Sequence, residues 1–135
     1  METQVIKKVQ SSVEPNPTEE LQGKILVNFN IEEKSKIDSI EDNEEEISYY
    51  EYDQITRPLG DTEDRIEKYT NYAKIQLMQE YLDETDYISN KYQEEVTILG
   101  NLTQEEFIST YQDILDTRST YRNSIDSLKS ELGIE

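Results

Sequence analysis

FISTYQDILDTRSTYRNSIDSLKSEL, residues Phe107–Leu132, carries the strongest structural signal in this chain. Its seam residues recur at spacings of four, three, four, three, four, three and four, and one of them is an arginine. A heptad pattern this long predicts a long helix that buries one side. The seam consists of Phe107, Tyr111, Ile114, Arg118, Tyr121, Ile125, Leu128 and Leu132.

Local signals also predict where this helix begins and ends. Thr103 opens the pattern Thr-Gln-Glu-Glu, with Glu106 at the third helical position. This is a capping box, in which each side chain bonds the other residue's backbone N–H. Gly133 follows the last seam residue, as is typical of a helix C-terminus.

A second helical region is predicted before the turn that runs from Gly100 to Thr103. Asp61 is the predicted N-cap, and an apolar stripe then continues to about Leu82. Thr85 offers a second N-cap for a segment that ends at Gly100. Because the connection to the last helix is short, we expect an α-helical hairpin or bundle.

The arginine in the seam predicts a structural lock. A buried charge needs a carboxylate, and YLDETDYISNKYQEE, residues 81–95, offers Asp86 and Glu94. Asp86 either caps its own helix or pairs with Arg118 or Arg122, while Leu82, Tyr87 and Ile88 pack beneath it. The lock residues are Asp86, Glu94, Arg118 and Arg122.

Before Pro58 the apolar spacing changes to a period of two. KILVNFNI, residues 24–31, places Ile25, Val27, Phe29 and Ile31 on one side, which predicts a half-buried strand. ISYYEYDQI, residues 47–55, is the second predicted strand, and the two are expected to pair as a hairpin. The acidic segment between them, Glu32–Glu46, is predicted to be a solvated loop; it lacks the glycine of a Ca²⁺ loop, so no metal is expected.

Tyrosine clusters in the second predicted strand. Tyr49, Tyr50 and Tyr52 offer large contact areas with polar tips, which suit an interface with another protein. The alternative is that they cover this chain's own small sheet.

The segment Met1–Gln22 contains Pro15 and Pro17 and few apolar side chains, which predicts an extended arm. It is either a floppy tail or an anchoring peptide that becomes ordered only on a partner. The predicted fold class is therefore α+β, with an arm over residues 1–22, a small β-hairpin with an acidic loop over 23–60, and a helical region over 61–135.

Composition limits the function. The 135 residues carry a formal net charge of −18, which disfavours direct contact with nucleic acid or an anionic membrane surface. The chain contains neither His nor Cys, so the commonest general base and the softest nucleophile are missing. No stretch is apolar enough to span a membrane, and the first ten residues lack the apolar core of a secretory signal. We therefore expect no enzymatic activity, no cofactor and no membrane partner.

The hydrophobic residue types make up only 33% of the chain, so a thin core is expected. Such a chain gains stability by burying surface against a partner, including copies of itself. The predicted interface is the seam apart from its arginine, namely Phe107, Tyr111, Ile114, Tyr121, Ile125, Leu128 and Leu132. The alternative is that the seam is consumed within one chain, against residues 66–99.

One part of the chain resembles a known kind of protein. Leu82, Thr85, Asp86 and Tyr87, then Lys91 and Glu94, then Tyr111, Leu115, Arg118, Arg122 and Ile125 resemble a short C-terminal module of virion-associated proteins of tailed bacteriophages. The likeness covers about Tyr81 to Leu132, and Tyr121 stands where many such modules have tryptophan.

This resemblance implies a structural or assembly protein of a phage particle, associated with the tail, a fibre or the head. Its partners would be other virion proteins and itself, and it would lie in the host cytoplasm before assembly and in the virion afterwards. The alternative from another class is a small acidic phage-encoded inhibitor that mimics nucleic acid and binds a host protein.

Overall fold

The computed structural model describes residues 1–40 and 43–134. An antiparallel sheet precedes the helices, which confirms the mixed α and β content expected from the sequence. The elements are β1 (Lys7–Ser11), β2 (Thr18–Leu21), β3 (Lys24–Ile40), β4 (Asn43–Pro58), α1 (Glu63–Glu84), α2 (Tyr87–Tyr92), a π-helical segment (Gln93–Ile98) and α3 (Gln104–Leu132). The chain forms two compact units, Met1–Ala73 (unit 1) and Lys74–Glu135 (unit 2).

The sheet of unit 1 has the strand order β1-β4-β3-β2, and all its pairs are antiparallel. The expectation of an arm that orders only on a partner is therefore wrong for residues 7–11 and 18–21, which pair with the chain's own sheet. β2 and β3 are joined by Gln22 and Gly23, whose φ angles are 52° and 76°. Two successive positive φ values are characteristic of a tight hairpin turn, which needs no apolar pattern to form.

The predicted acidic loop is also corrected. Residues 32–40 continue β3 and residues 43–46 begin β4, so the two strands extend as a ribbon with the register Lys34↔Tyr49 and Ile37↔Glu46. Backbone pairing in such a ribbon does not require burial of either face, which is why the polar sequence indicated a loop. Residues 41 and 42, which the loop prediction also covered, lie outside the described part.

A bulge changes which side chains face the core. Between the pairs Phe29↔Asp53 and Glu32↔Glu51, two residues of β3 lie opposite one residue of β4. The first of the two, Asn30, has a φ of 52°. The extra residue shifts the alternation, so that Ile31 is 37% exposed instead of buried beside Phe29. The prediction that Ile31 shares the buried face is wrong for this reason.

The core of unit 1 joins the sheet to the first half of α1. Its buried apolar residues are Val27, Phe29, Tyr52, Ile55, Tyr72 and Ala73. Tyr52, which was predicted to lie in an interface, is therefore buried within the chain. This agrees with the alternative that the tyrosines cover the chain's own sheet. Tyr49 and Tyr50 are half-buried.

The first helix begins one residue later than predicted. Thr62 Oγ1 accepts a hydrogen bond from the backbone N–H of Arg65 at 3.3 Å. Asp61, the predicted N-cap, instead accepts from the Nε atoms of Arg57 and Arg65, at 2.7 and 2.9 Å. The guanidinium of Arg57 also lies 3.7 Å from the centroid of the Tyr69 ring. Two arginines therefore draw this carboxylate away from the helix end.

Unit 2 contains the second half of α1, α2, the π-helical segment and α3. The predicted capping box at Thr103 and Glu106 is confirmed with both of its hydrogen bonds, and Gly133 ends α3 with a φ of 70°. The core consists of Ile75, Leu82 and Ile125, with Met78, Leu128 and Leu132 packed against it.

Much of the seam is used inside the chain. Phe107 is 2% exposed and its ring contacts those of Tyr92 and Tyr111, while Tyr121 packs edge-to-face on Tyr81 at 5.1 Å. Ile125, Leu128 and Leu132 belong to the core of unit 2. Phe107 and Ile125 are thus buried within the chain and cannot face another one, whereas Tyr111, Tyr121, Leu128 and Leu132 are half-buried, so that an interface at these four stays a prediction. Of the predicted interface in α3, Ile114 is half-buried and has no ring or core-cluster contact of this kind.

Candidate functional site

Arg118 is a buried charged residue of unit 2, and 9% of its side chain is exposed. Its Nη1 donates to the carbonyl oxygen of Leu82 at 2.7 Å and to Thr85 Oγ1. Its Nη2 donates to Asp86 Oδ1 at 2.9 Å. One guanidinium therefore binds three acceptors in a stretch of five residues.

The C-terminal end of α1 explains this arrangement. The last carbonyl groups of a helix lack intrahelical partners and form the negative end of its dipole. The last turn of α1 contains no basic residue, so Arg118 supplies the missing cation from α3. Thr85 continues the pattern, since its hydroxyl donates to the carbonyl oxygen of Tyr81 at 2.7 Å.

The predicted pairing of Asp86 with Arg118 is present, and the alternative role of Asp86 is not. Asp86 precedes α2 but makes no side-chain capping hydrogen bond. Glu94 and Arg122 form no ion pair with any residue of the described ranges 1–40 and 43–134. The lock therefore reduces to Asp86 and Arg118, joined by the Leu82 carbonyl and the Thr85 hydroxyl.

Sequence reasoning missed the two neutral acceptors of this lock. The available signal was the absence of Lys and Arg from the last turn of α1, which calls for a cation from elsewhere. The side chain of Asp86 is 65% exposed, so solvent screens its attraction to Arg118. The arrangement joins the end of α1 to α3.

Unit 1 contains a cavity of about 600 Å³ between β2, β3 and the first half of α1, here called the acidic groove. Its floor is apolar and its rim carries three carboxylates, those of Glu20, Glu63 and Glu67, whereas the register Glu19↔Leu26 turns the Glu19 side chain to the other face of the sheet. The apolar residues are Ile25, Val27, Phe29 and Ile66, the acidic residues are Glu19, Glu20, Glu63 and Glu67, and Pro17, Thr18, Asn28 and Thr70 complete the lining.

Two periodicities build the groove. In the sheet, the register Glu20↔Ile25 places the side chain of Glu20 on the same face as Ile25. In α1, Glu63, Ile66 and Glu67 are spaced three and four residues apart and so share one face of the helix. The sequence did not reveal the groove because residues 19 and 20 lay in a segment that looked like a loose arm.

Asp53 and Glu51 of the sheet have cationic partners, whereas the groove glutamates have none in the described part of the chain. The side chain of Asp53 is 7% exposed and accepts hydrogen bonds from Lys8 Nζ at 3.3 Å and from Asn30 Nδ2 at 2.9 Å. Glu51 accepts hydrogen bonds from Lys34 Nζ at 3.1 Å and from Gln10 Nε2 at 3.3 Å. In contrast, none of Glu20, Glu63 and Glu67 has an ion pair within residues 1–40 and 43–134, and no Lys or Arg lines the groove.

The hydrogen bonds from Lys34 and Gln10 lower the pKa of Glu51 below its ordinary value of 4.5, and the Glu51 carboxylate raises the pKa of Lys34. A lowered carboxyl pKa stabilises the fold above the unfolded-state value, and this contribution disappears as the pH falls through the folded-state pKa. The stabilisation by Glu51 should therefore be present at neutral pH and fade below about pH 4.5.

Glu51→Gln is accordingly expected to lower the free energy of unfolding at neutral pH, and the difference from wild type should shrink in acid. Urea unfolding of both proteins across this pH range measures the difference. Glu44→Gln is the control, because Glu44 is exposed and makes no ion pair with a described residue. A deficit of Glu51→Gln that stays constant with pH would contradict the assignment.

Among residues 1–40 and 43–134, no three acidic, His or Cys side chains are grouped so as to hold a metal ion. In the same part of the chain, every helix is too short or too polar to cross a membrane. Comparisons of the chain with protein-family models, with curated proteins and with solved structures gave no significant match.

Proposed function

We propose that the chain is a non-enzymatic structural or assembly protein of a tailed bacteriophage particle, associated with its tail, a fibre or its head. It works through contacts with other virion proteins and with copies of itself. It is made in the host cytoplasm and ends in the virion. In this proposal the helices of unit 2 form a hairpin that serves as a rigid module.

The observation that supports this proposal is the meeting of Leu82, Thr85 and Asp86 with Arg118. These residues are the start and the first arginine of the segment that resembles the phage module. Their convergence gives the resembling residues a common physical task, namely holding the end of α1 against α3. A task of this kind suits a scaffold rather than a catalyst.

Exposed apolar side chains supply surface for partners in each unit. In unit 2, Ile98 is 71% exposed and Leu99 55% exposed, and both precede the turn at Gly100. In unit 1, Ile37 is 70% exposed on the ribbon. Contacts with another chain would bury these side chains, and each buried apolar side chain adds roughly 1.5–3 kcal/mol.

A second candidate function is an acidic inhibitor that mimics nucleic acid. The observation that favours it is the ribbon of β3 and β4, on which Asp38, Glu44, Glu45 and Glu46 are exposed. Side chains of this kind, spaced along two strands, offer a row of negative charges to a basic groove of a host protein.

Mass spectrometry of phage particles purified by density gradient distinguishes the two functions. A structural protein is expected in the particles at a fixed ratio to the capsid protein, and a cytoplasmic phage enzyme from the same lysate serves as the negative control. If the chain is absent from particles and instead co-purifies with a host protein that DNA displaces, the inhibitor is correct. Sedimentation of the isolated chain across concentrations tests self-association separately.

A further inference from the structure

We propose that the acidic groove binds an extended segment of a partner protein through lysine or arginine side chains. This inference rests on the proposed function, because it names the chemistry by which the chain recognises a partner. It begins from an imbalance of charge. The carboxylates of Glu20, Glu63 and Glu67 face one cavity, and no described residue of the chain forms an ion pair with any of them.

The shape of the groove selects the kind of cation. Its floor of Ile25, Val27, Phe29 and Ile66 is apolar, whereas the three glutamates at the rim are exposed. Lysine and arginine match this arrangement, since they bury an aliphatic stem on apolar surface and keep the charged head among polar groups. A small inorganic cation would leave the apolar floor uncovered.

The position of β2 favours an extended peptide over a free amine. β2 lies at one edge of the sheet and pairs only with β3. The outward backbone groups of an edge strand can pair with another chain. A segment paired to Thr18–Leu21 would lie alongside the groove, and alternate side chains along it would point to the face that carries Glu20 and Ile25.

The probe is the acetylated and amidated pentapeptide Val-Lys-Val-Lys-Val, whose affinity is measured by NMR titration of the protein. Because the chain is highly acidic, general attraction must be separated from binding in the groove. Glu20→Gln/Glu63→Gln/Glu67→Gln removes three charges from the groove, and Glu44→Gln/Glu45→Gln/Glu46→Gln removes three from the ribbon. The groove variant is expected to bind about tenfold more weakly than wild type, and the ribbon variant within about twofold.

Two further readouts test the apolar floor and the edge strand. A peptide with diaminobutyrate in place of lysine keeps the charges on shorter stems and should bind more weakly than the lysine peptide. The amides of Thr18–Leu21 should exchange more slowly when the lysine peptide is bound. A valine–glutamate peptide should not bind.

Equal weakening by the groove and ribbon variants, with equal affinity for long and short stems, would overturn the groove and leave only general electrostatic attraction. A circular dichroism spectrum like that of the wild type must accompany each variant. The outcome is separable from that of the proposed function. Presence in particles together with an indifferent groove would reject this inference alone, whereas absence from particles would reject the proposed function whatever the peptide does.

Discussion

Ile125→Asp is expected to unfold unit 2 and to remove most of its helical circular dichroism signal. Ile125 is 5% exposed and forms the core of unit 2 with Ile75 and Leu82. The substitution loses roughly 1.5–3 kcal/mol of apolar burial and places a carboxylate in the apolar cluster of Ile75 and Leu82. The total cost should exceed about 4 kcal/mol, a large part of the stability of a domain of this size.

The matched control is Ile108→Asp, which makes the same change on the same helix. Ile108 is 37% exposed and lies near the N-terminus of α3, where an acidic side chain is compatible with the helix dipole. Its free energy of unfolding should stay within about 1 kcal/mol of wild type. Ile114→Asp, at a half-buried position, should fall between the two.

Ile125→Asp also distinguishes a seam that is buried within one chain from a seam that forms an interface between chains. The packing of Ile125 predicts loss of helix in Ile125→Asp and no dependence of this loss on protein concentration. The contrary result would be a folded, helical and monomeric Ile125→Asp protein beside an oligomeric wild type in sedimentation. That result would return the seam to the interface between chains.

Arg118→Met is expected to destabilise unit 2 by about 2–3 kcal/mol in urea unfolding. Methionine retains much of the length and apolar stem of arginine but donates no hydrogen bond. The Leu82 carbonyl at the end of α1 then loses its side-chain donor, and the helix dipole loses its cation. The cost arises mainly from these buried groups rather than from the ion pair.

Two controls separate the parts of this effect. Arg122→Met removes the same charge one turn further along α3, from an exposed side chain without an ion pair among the described residues, and should change stability by less than about 0.5 kcal/mol. Asp86→Asn should cost about 0–1 kcal/mol, because the Asp86 side chain is 65% exposed. If Asp86→Asn were as damaging as Arg118→Met, the ion pair and not the helix end would be the principal role of Arg118.

The parts of the fold that could be predicted were those with a local cause. Thr103 and Glu106 bond to each other's backbone within one helical turn, so four residues of sequence contain the whole interaction. Gly133 ends α3 because glycine readily adopts a positive φ. The four-three spacing of the seam and the alternation at the start of β3 likewise reflect the geometry of a single element.

The predictions that failed concern residues whose structure depends on partners distant in sequence. Residues 7–11 and 18–21 have no strand pattern of their own. They become strands because their backbone groups pair with those of β4 and β3, respectively. The bulge after Phe29 reverses the alternation on which the placement of Ile31 relied. In both cases the pairing register, and not the side-chain pattern, determines the outcome.

For the candidate sites, the sequence indicated that Arg118 requires hydrogen-bond acceptors, but it did not indicate which residues supply them. A seam arginine in a long helix must find acceptors, and this much follows from the cost of burying a charge. Asp86 and Glu94 were equally suitable by composition, and only the packing of α3 beside the end of α1 brings Asp86, the Leu82 carbonyl and Thr85 within reach of Arg118. The acidic groove arises in the same way, because Glu20 and Glu63 are far apart along the chain and line the same cavity only when unit 1 is folded. Spacing along the chain determines helices, strands and caps, whereas distances between elements depend on how the whole of each unit packs.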